Sequence, residues 1–169
     1  MASEPRLRPA ASADLTAIQA IYAIEVDEGA ATFELKPPET AEFARRLARV
    51  QALGLPWLVA ELGHRVAGYA YVSMYRDRPA YRFTVEDSVY VARWARGLGL
   101  GRSLLEAVVA EARLAGMRQM VAVIGDSANR GSIRLHRACG FTDVGTLHDV
   151  GFKFDRWLDT VLMQRALLP

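Results

Sequence analysis

The sequence predicts an α/β fold: a single mixed, mostly antiparallel central sheet flanked by helices. Three observations carry this. Helical and strand-like patterns alternate along the chain, mixing a hairpin with strand–helix–strand units. "WLVAEL" and "RVAGYAYVSMY", with Gly63-His64 between them, read as that hairpin. "SVYVARWARGLGLGRSLLEAVVAEA", Ser88 to Ala112, runs from a strand pattern through Gly97, Gly99 and Gly101 directly into a helix pattern. With 169 residues and no repeat, linker or low-complexity stretch, residues 1–169 are read as one domain.

The elements follow in order. "SADLTAIQAIYAIEV" repeats Leu15, Ile18, Ile21 and Tyr22 at helical spacing, with Ser12 or Asp14 as its cap. "GAATFELKPPE" breaks the pattern, and Pro37-Pro38 excludes a regular element there. "TAEFARRLARVQALG" is an amphipathic helix with Phe43, Leu47 and Val50 on one face and Gly54 as its stop. After the hairpin, "RDRPAYRF" interrupts and "TVEDSVYV" resumes as a strand. A helix from about Ser103 to Ala115 ends at Gly116. "QMVAVI" reads as a short strand buried on both faces. "SIRLHRACGF" predicts one or two helical turns stopped by Gly140, and "DTVLMQRAL" a final strand.

Composition bounds the function. Apolar residues are 51% and charged residues 24%, enough for a core and without a membrane-length apolar run. "MASEPRLRPAASADL" has no apolar signal core, so a cytoplasmic protein away from membranes is expected. Cys139 is the single cysteine, which excludes an intrachain disulfide framework; no His, Asp and Glu set has metal-ligand spacing, so no metal is expected. The net charge is +2 and the basic residues are scattered, which argues against a nucleic-acid partner.

Strand, glycine turn and helix together make an anion site. The first helical turn has unpaired N–H groups and partial positive charge, and glycine lets a phosphate approach them. A Walker A loop would need G-x-x-x-x-G-K-[ST], and no such Lys-Ser/Thr pair exists here. A dinucleotide fingerprint needs G-x-G-x-x-G, but Gly101 is followed by Arg102-Ser103-Leu104, so the third glycine is misplaced. R-x-x-G-x-G is satisfied by Arg96, Gly99 and Gly101. With "SVYV" before that loop and "N-x-x-S-I-R-L-H-x-x-x-G-F" after it, the chain resembles the GNAT superfamily of acyl-CoA-dependent N-acyltransferases. "RPAYRFTVEDSVYV", "VAVIGDSANRGSIRLHRACGF" and "VGFKFDRWLDTVLMQ" are similar to the phosphinothricin and methionine sulfoximine acetyltransferase group.

That resemblance implies acetyl-CoA as co-substrate and an N-acetyltransferase acting on a small amino acid or its analogue by direct transfer. Backbone N–H groups across Gly97, Leu98, Gly99, Leu100, Gly101 and Arg102 are expected to hold the pyrophosphate, with charge from Arg96 and Arg102. Val89, Tyr90 and Val91 would lie beside the pantetheine arm, and the Val91 N–H can face the thioester oxygen. Asn129 and Ser132 are further cofactor candidates, although Asn129 also suits a helix N-cap. Glu86, flanked by valines, is the candidate base, since partial burial raises a carboxyl pKa toward neutrality. Asp87 points to the opposite face by strand alternation and is the weaker candidate. His136 is the candidate acid for the leaving thiolate, with structural packing as its alternative, and Tyr90 competes for that role if its ring points inward. Arg78 and Tyr81 are the expected acceptor contacts, with Phe33, Lys153 and Trp157 as pocket walls. The resemblance also implies a homodimer, formed through apolar C-terminal surface. A protein N-terminus or lysine as acceptor, and acetyl-CoA binding without turnover, are the competing readings.

Overall fold

Residues 5–168 are described by a computed structural model. The elements are β1 (Arg6–Pro9), α1 (Leu15–Glu28), α2 (Thr40–Ala52), β2 (Trp57–Leu62), β3 (Arg65–Met74), β4 (Thr84–Val91), α3 (Leu100–Leu114), β5 (Gln119–Gly125), α4 (Arg130–Ala138), β6 (Thr142–Lys153) and β7 (Arg156–Ala166). One seven-stranded sheet runs in the order β1-β2-β3-β4-β5-β7-β6. β4 and β5 pair in parallel, and every other neighbouring pair is antiparallel. The sheet is therefore mixed and mostly antiparallel, as the sequence predicts.

Side-chain alternation along β4 divides the core. Tyr90 packs edge-on to Tyr22 of α1, while its neighbour Val91 lies near Gly101 of α3. Ile18, Phe43 and Leu47 bury the α1 and α2 stripes on one face, and Leu100, Leu104, Leu105 and Val108 bury that of α3 on the other. Ionic contacts fix the ends of the early elements. Asp14 accepts from the Ala11 N–H at 2.8 Å and pairs with Arg8 of β1 at 2.7 Å.

Four details depart from the sequence reading. β1 is too short to show a period and lies at a sheet edge. β6 is the longest strand, yet its Asp143, Gly145, Asp149 and Gly151 are poor strand formers; it too is an edge, mostly exposed and twice broken in register. α3 begins at Leu100 rather than Ser103, because Gly99 already serves as its N-cap. β5 is not buried on both faces: Val121 is half-buried and Val123 exposed, because the pairing of β4 with β5 ends at Val121.

Candidate active site

That divergence builds the site. β4 and β5 pair only from Thr84–Glu86 to Gln119–Val121, although both strands continue. Past Glu86 the sheet opens into a wedge, leaving one backbone edge of β4 without a neighbouring strand. Two cavities fill it. The first, about 430 Å³, is lined on the α1 side by Phe33, Arg46, Tyr71 and Glu86 and reaches Asp87 and His136 through the opening. The second, about 490 Å³, runs from Val89, Tyr90 and Val91 to the glycine turn. Val89, Tyr90, Asn129 and Ser132 line both.

The second cavity ends at an anion cradle. Gly97 and Gly99 both have φ of +79°, a region that side chains with a Cβ rarely enter. Their open backbone turns the chain directly into α3. None of the N–H groups from Gly97 to Arg102 donates to another backbone carbonyl among the described residues. Six unpaired donors at a helix N-terminus, with Arg96 and Arg102 alongside, suit a pyrophosphate. Arg96 is paired with Glu25 of α1, and Arg102 with Glu106 at 2.8 Å. Leu98 is the exception: its side chain is exposed and outside the lining, so only its backbone can take part.

The first cavity carries the titratable groups. Burial lifts the Glu86 carboxyl to about 7, aided by the Asp87 charge and opposed by Arg76. Asp87 points to the opposite face, as alternation requires, but it is buried against α4. Its Oδ2 lies 2.9 Å from His136 Nε2, and its Oδ1 is buried without a partner among the described residues. His136 Nδ1 is 2.7 Å from the Ser132 carbonyl and 3.3 Å from Ser132 Oγ. Both ring nitrogens thus face acceptors. Burial alone would lower the ring's pKa, but the Asp87 hydrogen bond and charge outweigh it and raise it above the ordinary histidine value. The arrangement favours a doubly protonated ring that donates on both sides. Asn129 fills its cap position, its Oδ1 accepting from the Ser132 N–H at 3.2 Å, and the residue lines both cavities.

The family model described as Acetyltransferase (GNAT) family matches residues 18–141. The chain belongs to the GNAT acetyltransferase family. It is 54% identical over 154 residues to a phosphinothricin N-acetyltransferase of Alcaligenes faecalis, covering 91% of this chain and 78% of that protein. It is 42% identical to an L-methionine sulfoximine/L-methionine sulfone acetyltransferase of Salmonella typhimurium, over 95% of this chain and 94% of that one. The solved complex of a GNAT phosphinothricin acetyltransferase from Sinorhizobium meliloti with acetyl-CoA superposes with a TM-score of 0.92, at 47% identity, covering 96% of this chain and 88% of that one.

This GNAT protein is accordingly an acetyl-CoA-dependent N-acetyltransferase. The glycine cradle and the wedge beside β4 suit a long phosphorylated thioester: donors at one end, an unpaired strand edge along the middle. No group of His, Cys, Asp and Glu among the described residues could hold a metal. Of the predicted site residues, all but Leu98, Arg78, Tyr81, Lys153 and Trp157 line one or both cavities. Arg78 and Tyr81 are exposed on the β3–β4 connection and outside both linings, with Tyr81 packed edge-on to Tyr75. Trp157 is exposed outside them as well, and Lys153 turns into the protein. Sequence reasoning passed over Arg46, Tyr22, Tyr71 and Thr160. Arg46 sits on the polar side of α2 and reads as an ordinary solvated arginine. In the fold it is held by Glu34 at 2.7 Å and Glu42 at 2.9 Å and faces the first cavity. Only the i,i+4 spacing from Glu42 hinted that its position was fixed.

Proposed function

We propose that the protein acetylates the amine of a small amino acid or amino-acid analogue of the phosphinothricin or methionine sulfoximine type. The acetyl group would pass directly from acetyl-CoA in a ternary complex. The observation that carries this reading is the meeting of two cavities at Val89, Tyr90, Asn129 and Ser132. One cavity suits the acyl donor. The other is small, holds a carboxyl poised near neutrality and has Arg46 for a carboxylate or phosphinate.

Glu86 acts as the base, taking a proton from the acceptor ammonium directly or through one water. The freed amine attacks the thioester carbonyl while the Val91 N–H faces the developing oxyanion. As the C–S bond breaks, the thiolate takes a proton that originates on His136. Ser132 Oγ offers the path, being 3.3 Å from Nδ1 and lining both cavities. Phe33 walls the acceptor side, and Arg46 takes the part expected of Arg78 and Tyr81, which lie outside the lining. Tyr90 is a poor acid, because burial pushes its hydroxyl well above the ordinary tyrosine value.

The proposal includes a cytoplasmic homodimer. No helix among the described residues is long and apolar enough to cross a membrane. The β6–β7 hairpin exposes Val144, Leu147, Val150, Phe152, Phe154 and Trp157, an apolar surface suited to a second copy. The deciding experiment measures thiol release with phosphinothricin, methionine sulfoximine and methionine sulfone beside peptides with free N-termini or lysines. Turnover of the small acceptors at the higher kcat/KM is expected. Turnover confined to peptides would transfer the activity to a protein acceptor, and no turnover with any amine would reduce the protein to an acetyl-CoA binder.

A further inference from the structure

One wall of the acceptor cavity is irregular chain, the segment 29–33 that leaves α1 and carries Phe33. We infer that Lys153 is a positioning residue that fixes this wall and so sets which acceptors the cavity admits. This rests on the reading of the 430 Å³ cavity as the acceptor site.

Lys153 lies at the end of β6 and is only 4% exposed. Its Nζ donates to the carbonyls of Gly29 at 2.8 Å, Thr32 at 2.9 Å and Glu25 at 3.3 Å. An ammonium has three N–H donors, and here each has a carbonyl. Glu25 and Gly29 close the C-terminal end of α1, where a cation is favoured. Gly29 and Thr32 bracket the wall segment itself. Burying an ammonium is costly unless it is fully bonded, and burial lowers the amine's pKa here. An apolar side chain would pack this position at less cost. What the ammonium adds is the tie between β6 and the segment.

Two glycines complete the clamp. A Cβ on Gly151 of β6 would overlap the Phe33 ring, and one on Gly125 of β5 would crowd both that ring and the Ala30 carbonyl. Phe33 therefore lies against bare backbone on two strands. The register break between Leu147 and Gly151 serves the same end. β6 is exposed from Thr142 to Val150, and past the break Gly151 and Lys153 turn inward.

Lys153→Met keeps most of the stem and removes the donors. Hydrogen exchange across residues 29–33 of the free protein should quicken. The acceptor KM should rise on the order of tenfold, with weaker discrimination between acceptors of different size. The Kd for acetyl-CoA should move far less. Unchanged exchange would refute the clamp. Faster exchange with an unchanged acceptor KM would refute the cavity as the acceptor site, and the inference would fall with it. Should Lys153→Met not fold, a cycle of Gly151→Ala and Phe33→Ala decides the matter. Gly151→Ala should raise the acceptor KM in the parent and add little once Phe33 is alanine. Additive effects would overturn the inference.

Discussion

Replacing Glu86 with glutamine should make the protein more stable and far less active, with both effects tied to one pH. Burial and the nearby Asp87 charge lift this carboxyl from 4.5 to about 7. At about 1.4 kcal/mol for each pH unit, that rise corresponds to about 3 kcal/mol held against the charged form. Water reaching the cavity screens part of it, so about 2 kcal/mol is expected. The sign follows from the direction of the shift. A carboxyl whose pKa is raised by folding contributes its stability below the unfolded value, and that contribution is lost as pH rises through about 7. Glutamine cannot ionise and keeps it. Glu86→Gln should leave Tm unchanged near pH 4 and raise it by about 4–8 °C above pH 8. Meanwhile kcat/KM should fall by about 10²–10⁴, and the parent's rise in rate through pH 7 should disappear. Calorimetry and a pH–rate profile on both proteins test this. A Tm gain of equal size at pH 4 and pH 9 would refute the burial argument. A surviving inflection near pH 7 in the variant would remove Glu86 as the base.

Asp87→Asn should cost about 3 kcal/mol by stranding a buried imidazolium. Because folding raises the His136 pKa, the pair's stabilisation is complete below pH 6.5 and fades as pH climbs past the folded value. The Tm deficit of the variant should therefore be largest in acid and shrink in base; a deficit independent of pH would mean that the ring is neutral. Gly99→Ala forces a side chain into φ of +79° at the α3 cap. It should lose about 1 kcal/mol of stability and weaken acetyl-CoA binding in titration calorimetry, and unchanged binding would remove the loop from cofactor recognition. Trp157→Glu places a charge on the exposed apolar hairpin, and light scattering should show a shift from dimer to monomer; a parent that is already monomeric would end the dimer reading.

The fold was legible wherever local pattern and tertiary role coincide. The periods of α1, α2 and β3 and the glycine turn into α3 are written in consecutive residues, and each element forms there, α3 starting three residues before its predicted bound. β6 was illegible because an exposed edge interrupted by bulges needs no hydrophobic alternation. The candidate site divides in the same way. The cradle from Arg96 to Arg102 lies in one stretch of chain, so its spacing could be read directly. Arg46 could not be read, because only the packing of α2 over β3 turns a polar helix position toward a cavity.

Glu86 and Asp87 show most clearly where sequence reasoning ends. Alternation correctly sends their side chains to opposite faces, and in an unbroken sheet that would separate Glu86 from His136 by the thickness of the sheet. It made Asp87 the weaker candidate for the base. The wedge between β4 and β5 changes the consequence of that rule. Once the strands part after Glu86, groups from both faces reach one cavity, and Asp87 anchors His136 on the far side while raising the Glu86 pKa from next door. The proposed base and acid, on opposite sides of the sheet, can then serve one reaction without sharing a face. Closing the wedge by extending the β4–β5 pairing would leave every side chain where alternation puts it and abolish the site.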